Sequence, residues 1–264
     1  MKNLKEKIVW ITGASSGIGE ALAYAFAKEG AFLVLSARNI EKLKKVRDNC
    51  LKSTSKCWIF PIDLLEVGKL EKAVTEVIKQ AGKIDVLINN AGRSQRSLAK
   101  ETPLEIDRNI MELNFFSVVA LTKLVLPQML KNGSGHIVVI SSISGKLGFP
   151  MRTAYAASKH AVQGYFESLR AELDNDNIKV TIISPGRIKT NISVNALTKD
   201  GSAYGRMDEG QANGMTAALC AAKIVKAVKR ERKELLVGKM EILMVHIRRF
   251  LPALYYKLVT RIKN

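Results

Sequence analysis

The amino-acid sequence predicts a single α/β domain built on a doubly wound parallel sheet with helices on both faces. Short β-rich runs alternate with longer segments of helical spacing along most of the chain. The β-rich runs are nearly continuously apolar, as strands covered on both faces must be. A glycine-bearing turn follows the first run directly and opens the first helical segment. Strand, helix, strand, repeated, requires crossover helices and parallel pairing.

In chain order, "KIVWIT" (7–12) predicts the first strand and 17–29 the first helix, with apolar residues at three- and four-residue steps. "FLVLS" (32–36) is the second strand, followed by helical spacing over 40–51, and "CWIFPI" (57–62) the third, followed by 67–81. "IDVLIN" (84–89) precedes a helix over 104–131, and "HIVVIS" (136–141) precedes one over 154–173. "KVTIIS" (179–184) closes the series; the stretch 188–215 is polar and glycine-containing. At 264 residues the chain can build one large core, and no Pro/Gly/Ser-rich linker, low-complexity tract or repeat divides it. Residues 1–238 are therefore expected to form one domain and 239–264 a basic amphipathic extension. Ligands of such sheets bind beyond the carboxyl ends of the strands, and the motifs that follow fall at those ends.

In "TGASSGIG", Gly13, Gly17 and Gly19 lack Cβ, so the backbone can turn tightly and bring a pyrophosphate onto the N-terminal amides of the helix. The spacing is Gly-x-x-x-Gly-x-Gly. Together with "NNAG" (89–92), the Asn of "LNFFS", "ISSISG" (140–145), "AYAASK" (154–159) and "SPGRIKT" (184–190), it resembles the short-chain dehydrogenase/reductase family from about Lys7 to Thr190. The resemblance implies a Rossmann-type fold, a nicotinamide cofactor and oxidoreductase activity. It carries cofactor binding onto Gly13, Ser15, Ser16, Gly17, Ile18, Gly19, Asp63, Asn90, Ala91, Gly92, Tyr155, Lys159, Pro185, Gly186 and Thr190, and gives Asn89 the bracing of the central sheet. NAD enzymes of the family usually carry an acidic residue at the end of the second strand; here Ala37 stands there, followed by Arg38. A guanidinium pairs with a 2′-phosphate that a carboxylate would repel, so the expected cofactor is NADP(H).

Tyr155 and Lys159 are four positions apart, one helical turn, so both side chains share a face. An isolated pair at that spacing would ordinarily be an exposed tyrosine and a solvated lysine. The resemblance instead implies that Tyr155 is the general acid/base, that Lys159 lowers the phenol pKa and binds the nicotinamide ribose, and that Ser142, 13 residues before Tyr155, holds the substrate oxygen. Neighbouring Ser141 is the competing assignment. Asn114 matches the fourth catalytic member, tied to a proton relay; its other reading is a structural hydrogen bond. Substrate contacts are expected from Ser142, Tyr155, Leu147 and Phe149, with Met151 beside them; these apolar residues suit a hydrophobic carbonyl or alcohol and equally suit packing or a dimer contact. The stretch 188–215 is expected to be a lid. His136, His160 and His246 have no ligand spacing, so no metal is expected.

The chain carries 42 Lys and Arg against 24 Asp and Glu, a net charge of +18. Such an excess favours anionic partners, whether a phosphorylated cofactor, a membrane or nucleic acid; no nucleic-acid motif or interleaved aromatics support the last. Cys50, Cys57 and Cys220 match no metal or redox spacing, and the chain start reads as a strand rather than a signal peptide. No uninterrupted apolar run spans a bilayer, so the expected location is cytoplasmic, with peripheral contact to the inner membrane face as an addition. That addition rests on the tail, where Leu243, Ile247, Leu251, Leu254, Leu258 and Ile262 recur at helical steps between basic residues, with Pro252 dividing the segment. Either an anionic membrane or the protein itself, as its own domain or a second subunit, covers that stripe. The tail resembles that of a membrane-associated group in the family, the dehydrogenase/reductase member seven-like group with lipid-like substrates. A homodimer or homotetramer is expected through 104–131 and 154–173. The reading leaves two functions: turnover of an apolar carbonyl or secondary alcohol, or a cofactor-binding, membrane-associated interaction protein with little turnover.

Overall fold

The computed structural model describes residues 1–261; Ile262, on which the tail stripe partly rests, lies outside the described residues. Strand β1 (Ile8–Thr12) leads through the glycine turn into α1 (Gly17–Lys28), then β2 (Phe32–Ser36), α2 (Ile40–Cys50), β3 (Cys57–Ile59), α3 (Leu70–Ala81) and β4 (Val86–Asn89). Helices α4 (Leu104–Met111) and α5 (Ser117–Lys131) precede β5 (Gly135–Ile140), α6 (Thr153–Glu172) and β6 (Ile178–Pro185). A two-strand pair, β7 (Ile188–Lys189) and β8 (Met215–Thr216), brackets the short α7 (Glu209–Ala212), and α8 (Ala217–Lys229), β9 (Glu234–Val237), α9 (Leu243–Phe250) and α10 (Pro252–Val259) complete the described chain. The main sheet has seven strands, all parallel, in the order β3-β2-β1-β4-β5-β6-β9.

Two apolar layers hold the sheet, because alternate strand residues face opposite sides. Val9, Ile11, Leu33, Leu35, Ile88 and Val138 pack with Leu22, Phe26, Cys220 and Ile224 of α1 and α8. Trp10, Val34, Leu87, Ile137 and Val139 pack with Val74, Leu121, Val125, Val162 and Phe166 of α3, α5 and α6. This is the expected doubly wound arrangement.

Three boundaries differ from the sequence reading for local physical reasons. Strand β3 ends at Ile59 rather than residue 62, although Phe60 and Ile62 still donate to Leu35 and Ala37, because Pro61 has no N–H for the ladder. The helix over 104–131 is interrupted by one wide turn at Glu112–Phe116 with π-type bonding. The seventh strand β9 and α8 lie past the last strand predicted from the sequence: the run "ELLV" is only four residues long and forms a half-exposed edge strand, too short to stand out as a strand. The run Leu104–Lys131 is long and apolar enough to cross a bilayer by length and composition, yet it buries Ile110, Val118, Leu121, Val125 and Met129 in the core. Its outer side leaves Leu104, Phe116 and Leu130 exposed.

His136 on β5 is fully buried, and its Nε2 meets the Thr181 hydroxyl at 2.8 Å. Because that hydroxyl donates to the Arg232 carbonyl, the ring supplies the hydrogen from Nε2. Burial, then the positive charges of the N-terminus and Lys179, lowers its pKa from 6.5 to about 3. The unfolded chain takes up this proton near pH ~6.5 and the native one only near 3, so the contribution is complete above that upper value and is lost as pH falls. Urea titrations between pH 6 and 4.5 are expected to show His136→Asn losing about 1.4 kcal/mol less stability per pH unit than the parent. Equal slopes would assign acid sensitivity to other groups.

Candidate active site

The carboxyl ends of β1, β2, β4, β5 and β6 open into one cleft of about 930 Å³. Its floor is the glycine turn. Gly13 and Gly17 have φ of +65° and +61°, the left-handed region that favours glycine. A Cβ on Gly19 would stand 2.2 Å from the Gly13 carbonyl oxygen, so only glycine lets α1 start this close to β1. Asn90 braces the turn by donating Nδ2 to the Thr12 carbonyl at 2.9 Å, while the Thr12 hydroxyl accepts from the Asn90 and Ala91 amides. Ser16 occupies the N-cap of α1 without capping it, and both Ser15 and Ser16 line the cleft with Gly17 and Ile18. The first amides of α1 lack intrahelical acceptors, a setting that suits an anion.

At the far end of this floor stand Ala37, Arg38, Lys42 and Asp63. The Arg38 guanidinium is 61% exposed and lies 3.9 Å from the Asp63 carboxylate. Arg93, in the loop after β4, lines the same region; burial lowers its pKa, with the nearby Arg38 charge acting in the same direction.

The opposite wall carries the reacting groups. Thr153 begins α6 and places Tyr155 and Lys159 one turn apart, both on the cleft. Ser142 follows β5, takes an extended backbone, accepts from the Ser144 amide at 3.1 Å and donates to the Pro185 carbonyl at 3.5 Å; its hydroxyl stands near enough to the Tyr155 phenol to favour its ionised form. Ser141 points elsewhere, donating to the Lys159 carbonyl at 3.2 Å and accepting from Gln163. Asn114 sits in the wide turn between α4 and α5, where its amide bonds Arg93 in both directions at 2.9 Å and donates to Ser158. A wide turn of this kind often marks a functional position. A Cβ on Gly92 would lie 3.1 Å from Asn114 Oδ1 and 3.5 Å from Lys159 Nζ, which puts this asparagine beside the lysine.

The surroundings of the phenol and the lysine act on both groups. Lys159 Nζ donates to the Ile140 carbonyl at 2.8 Å and lies 6.0 Å from the centre of the Tyr155 ring. Burial raises the Tyr155 pKa; the Ser142 hydroxyl, Arg96 and Arg152 oppose that rise without cancelling it. Burial also lowers the Lys159 ammonium to about 8.

Pro185, Gly186 and Thr190 line the cleft after β6. Glu241 buttresses this loop by accepting from the Arg187 amide at 2.7 Å, in space that a Cβ on Gly186 would fill. Leu147 and Phe149 are not among the residues that line it: Leu147 is 1% exposed within the protein. The apolar wall instead comes from Leu113, Ile188, Ile192 and Leu197, with Asn191, Asn195 and Gln211 between them. Leu113 comes from the wide turn between α4 and α5, and the others lie on the stretch expected as a lid, whose irregular backbone gave no periodicity from which to pick them. Among the described residues no group of His, Cys, Asp and Glu is placed to hold a metal ion.

The glycine cradle, the unsatisfied helix amides and the uncommitted Ser16 fit a dinucleotide pyrophosphate. The family described as short chain dehydrogenase matches residues 7–201. The chain is 45% identical to the Xenopus laevis protein "Dehydrogenase/reductase SDR family member 7B", over 97% of this chain and 82% of that protein. It resembles the crystal structure of a short-chain dehydrogenase from Streptomyces avermitilis, with 29% identity, a TM-score of 0.81 and coverage of 97% and 98%. It also resembles an alcohol dehydrogenase from the archaeon Thermococcus sibiricus complexed with 5-hydroxy-NADP, with 25% identity, a TM-score of 0.75 and coverage of 88% and 96%.

Proposed function

We propose that the chain, which belongs to the short-chain dehydrogenase/reductase family, is an NADP(H)-dependent oxidoreductase that interconverts an apolar carbonyl compound and its secondary alcohol. The observation that carries this reading is the convergence of Ser142, Tyr155 and Lys159 on a cleft whose floor is a glycine cradle. A nicotinamide held in this cleft supplies or accepts the hydride. The amides after Gly13, with Ser15 and Ser16, hold its pyrophosphate; Asp63 takes the adenine, and Arg38 the 2′-phosphate. Lys159 holds the ribose hydroxyls. Ser142 fixes the substrate oxygen beside the phenol, and Tyr155 gives that oxygen its proton in reduction or removes it in oxidation. Because burial raises the phenol pKa, Tyr155 is protonated at neutral pH and is poised for reduction. Residues 188–215 close over the substrate. The tail adds a peripheral contact with an anionic membrane, a reading favoured by the exposure of its apolar stripe.

The test is titration of the purified protein with NADPH and NADH. Arg38→Ala is expected to weaken NADPH binding about tenfold or more, as loss of one charge-assisted contact of ~1.4–3 kcal/mol requires, and to leave NADH nearly unchanged. Equal losses for both nucleotides would remove Arg38 from phosphate recognition. Failure of both to bind the parent protein would end the enzyme reading.

A further inference from the structure

A buried ion cluster lies between the proposed lid and the helix that carries Tyr155. Arg96, in the loop after β4, directs Nε at the Asp208 carboxylate at 3.1 Å and pairs with it again through its terminal nitrogen. Arg152, just before α6, meets the same carboxylate at 3.1 Å. The three side chains are only 3%, 15% and 11% exposed for Arg96, Arg152 and Asp208. Burial pushes the Asp208 carboxyl up, but the hydrogen bonds and charges of the two arginines outweigh it and hold its pKa below the usual range.

The backbone makes this cluster a joint between three segments. In the loop, the Arg96 amide donates to the Leu197 carbonyl at 2.8 Å, and the Leu197 amide donates back to Ser94 at 2.9 Å. Gln95 Oε1 accepts from the Ala154 amide at the start of α6, and the Ser97 amide donates to Met151. Met151 is held at φ +60°, a conformation that costs energy outside glycine. The loop is thus fastened to the lid on one side and to the Tyr155 helix on the other. Both guanidiniums stand near enough to Tyr155 to act on its charge.

Three buried charges are a costly way to hold two segments together, because each gives up its hydration. They suit a contact that must open. An opened lid returns each charge to water, whereas a broken apolar seam would leave greasy surface exposed.

We propose that Asp208 is the latch of the lid, closing residues 188–215 over the cleft by pairing with Arg96 and Arg152, which act as positioning residues near Tyr155. This rests on the lid and acid/base readings above. The test is amide hydrogen exchange on the full chain with and without NADPH, followed over 188–215. There the Leu197 amide, which donates to the Ser94 carbonyl across the joint, is the one whose protection reports closure. Asp208→Asn is expected to speed exchange there about tenfold or more, and Asp208→Glu to recover most of the protection. On a carbonyl substrate, Asp208→Asn should raise KM about tenfold with a smaller change in kcat, and leave NADPH affinity unchanged. Unchanged exchange in Asp208→Asn at parental thermal stability would overturn the latch. If that variant does not fold, Arg152→Gln, which leaves Arg96 on the carboxylate, is read in the same way with the same two outcomes. Faster exchange in a protein whose Tyr155→Phe variant still turns over would support the latch while removing the catalytic reading of Tyr155.

Discussion

Replacing Tyr155 with Phe is expected to lower turnover about a thousandfold while leaving NADPH affinity within about twofold, in the range that loss of a positioned general acid produces. The substitution removes one oxygen. Phenylalanine keeps the ring beside Lys159 and the packing of α6, so the cleft keeps its shape. The same phenol sets the pH dependence. Burial holds its pKa above 10, so the protonated form dominates at neutral pH and reduction should be flat there, declining only as the phenol ionises in alkali. Oxidation needs the deprotonated form and should climb with pH over the same alkaline range. A Phe variant that kept more than a tenth of parental turnover would place the proton on another group, and Lys159, lowered to about 8, would be the next to test.

The fold was readable because burial on both faces of a parallel sheet forces runs of apolar residues, as in "KIVWIT" and "HIVVIS". The phosphate end of the site was readable for a similar reason: a turn this tight accepts little besides glycine, so the geometry is written into residue type at fixed spacing. Contacts made by the fold rather than by neighbours in sequence leave no such mark. Arg96 and Asp208 are separated by 112 positions, and neither has a local pattern that reveals the other. Leu147 looked like a cleft wall because it precedes Tyr155 closely, but the chain turns before α6 and buries it in the protein. The opposing influences on the phenol were hidden for the same reason, since Arg96 reaches it only through the loop and Lys159 is engaged by Ile140.

The second large effect is expected in the tail. Helices α9 and α10 meet at Pro252, and the pair is anchored by Tyr255, which is buried and donates its hydroxyl to the Gly148 carbonyl at 2.6 Å. Arg248 lies over the rings of Tyr255 and Tyr256 at 5.7 and 5.4 Å, fixing the two helices together. Of the apolar stripe read from the sequence, Leu251 is 56% exposed, Leu243 48% and Leu254 43%, while Ile247 and Leu258 are half-buried; Phe250 at 70% and Met240 at 78% are exposed beside it. Arg249, Lys257 and Arg261 are exposed in the same segment. Apolar side chains interleaved with cations match the boundary of an anionic bilayer, where each cation near the surface adds about 1 kcal/mol and each apolar side chain gains part of its ~1.5–3 kcal/mol of burial. The double variant Phe250→Ser with Leu254→Ser should therefore reduce partitioning onto phosphatidylserine-containing vesicles at least about tenfold, with no loss of thermal stability, because neither side chain supports the core. Parental binding should also fall as salt rises and be weak on neutral vesicles. These substitutions are better than truncation. A cut at Arg232 would remove β9 from the sheet and Glu241 from the loop that frames the cleft, and so confuse membrane contact with folding. Vesicle binding unchanged in the double variant would leave the stripe to a second protein chain, and sedimentation of parent and variant would then show a difference in mass.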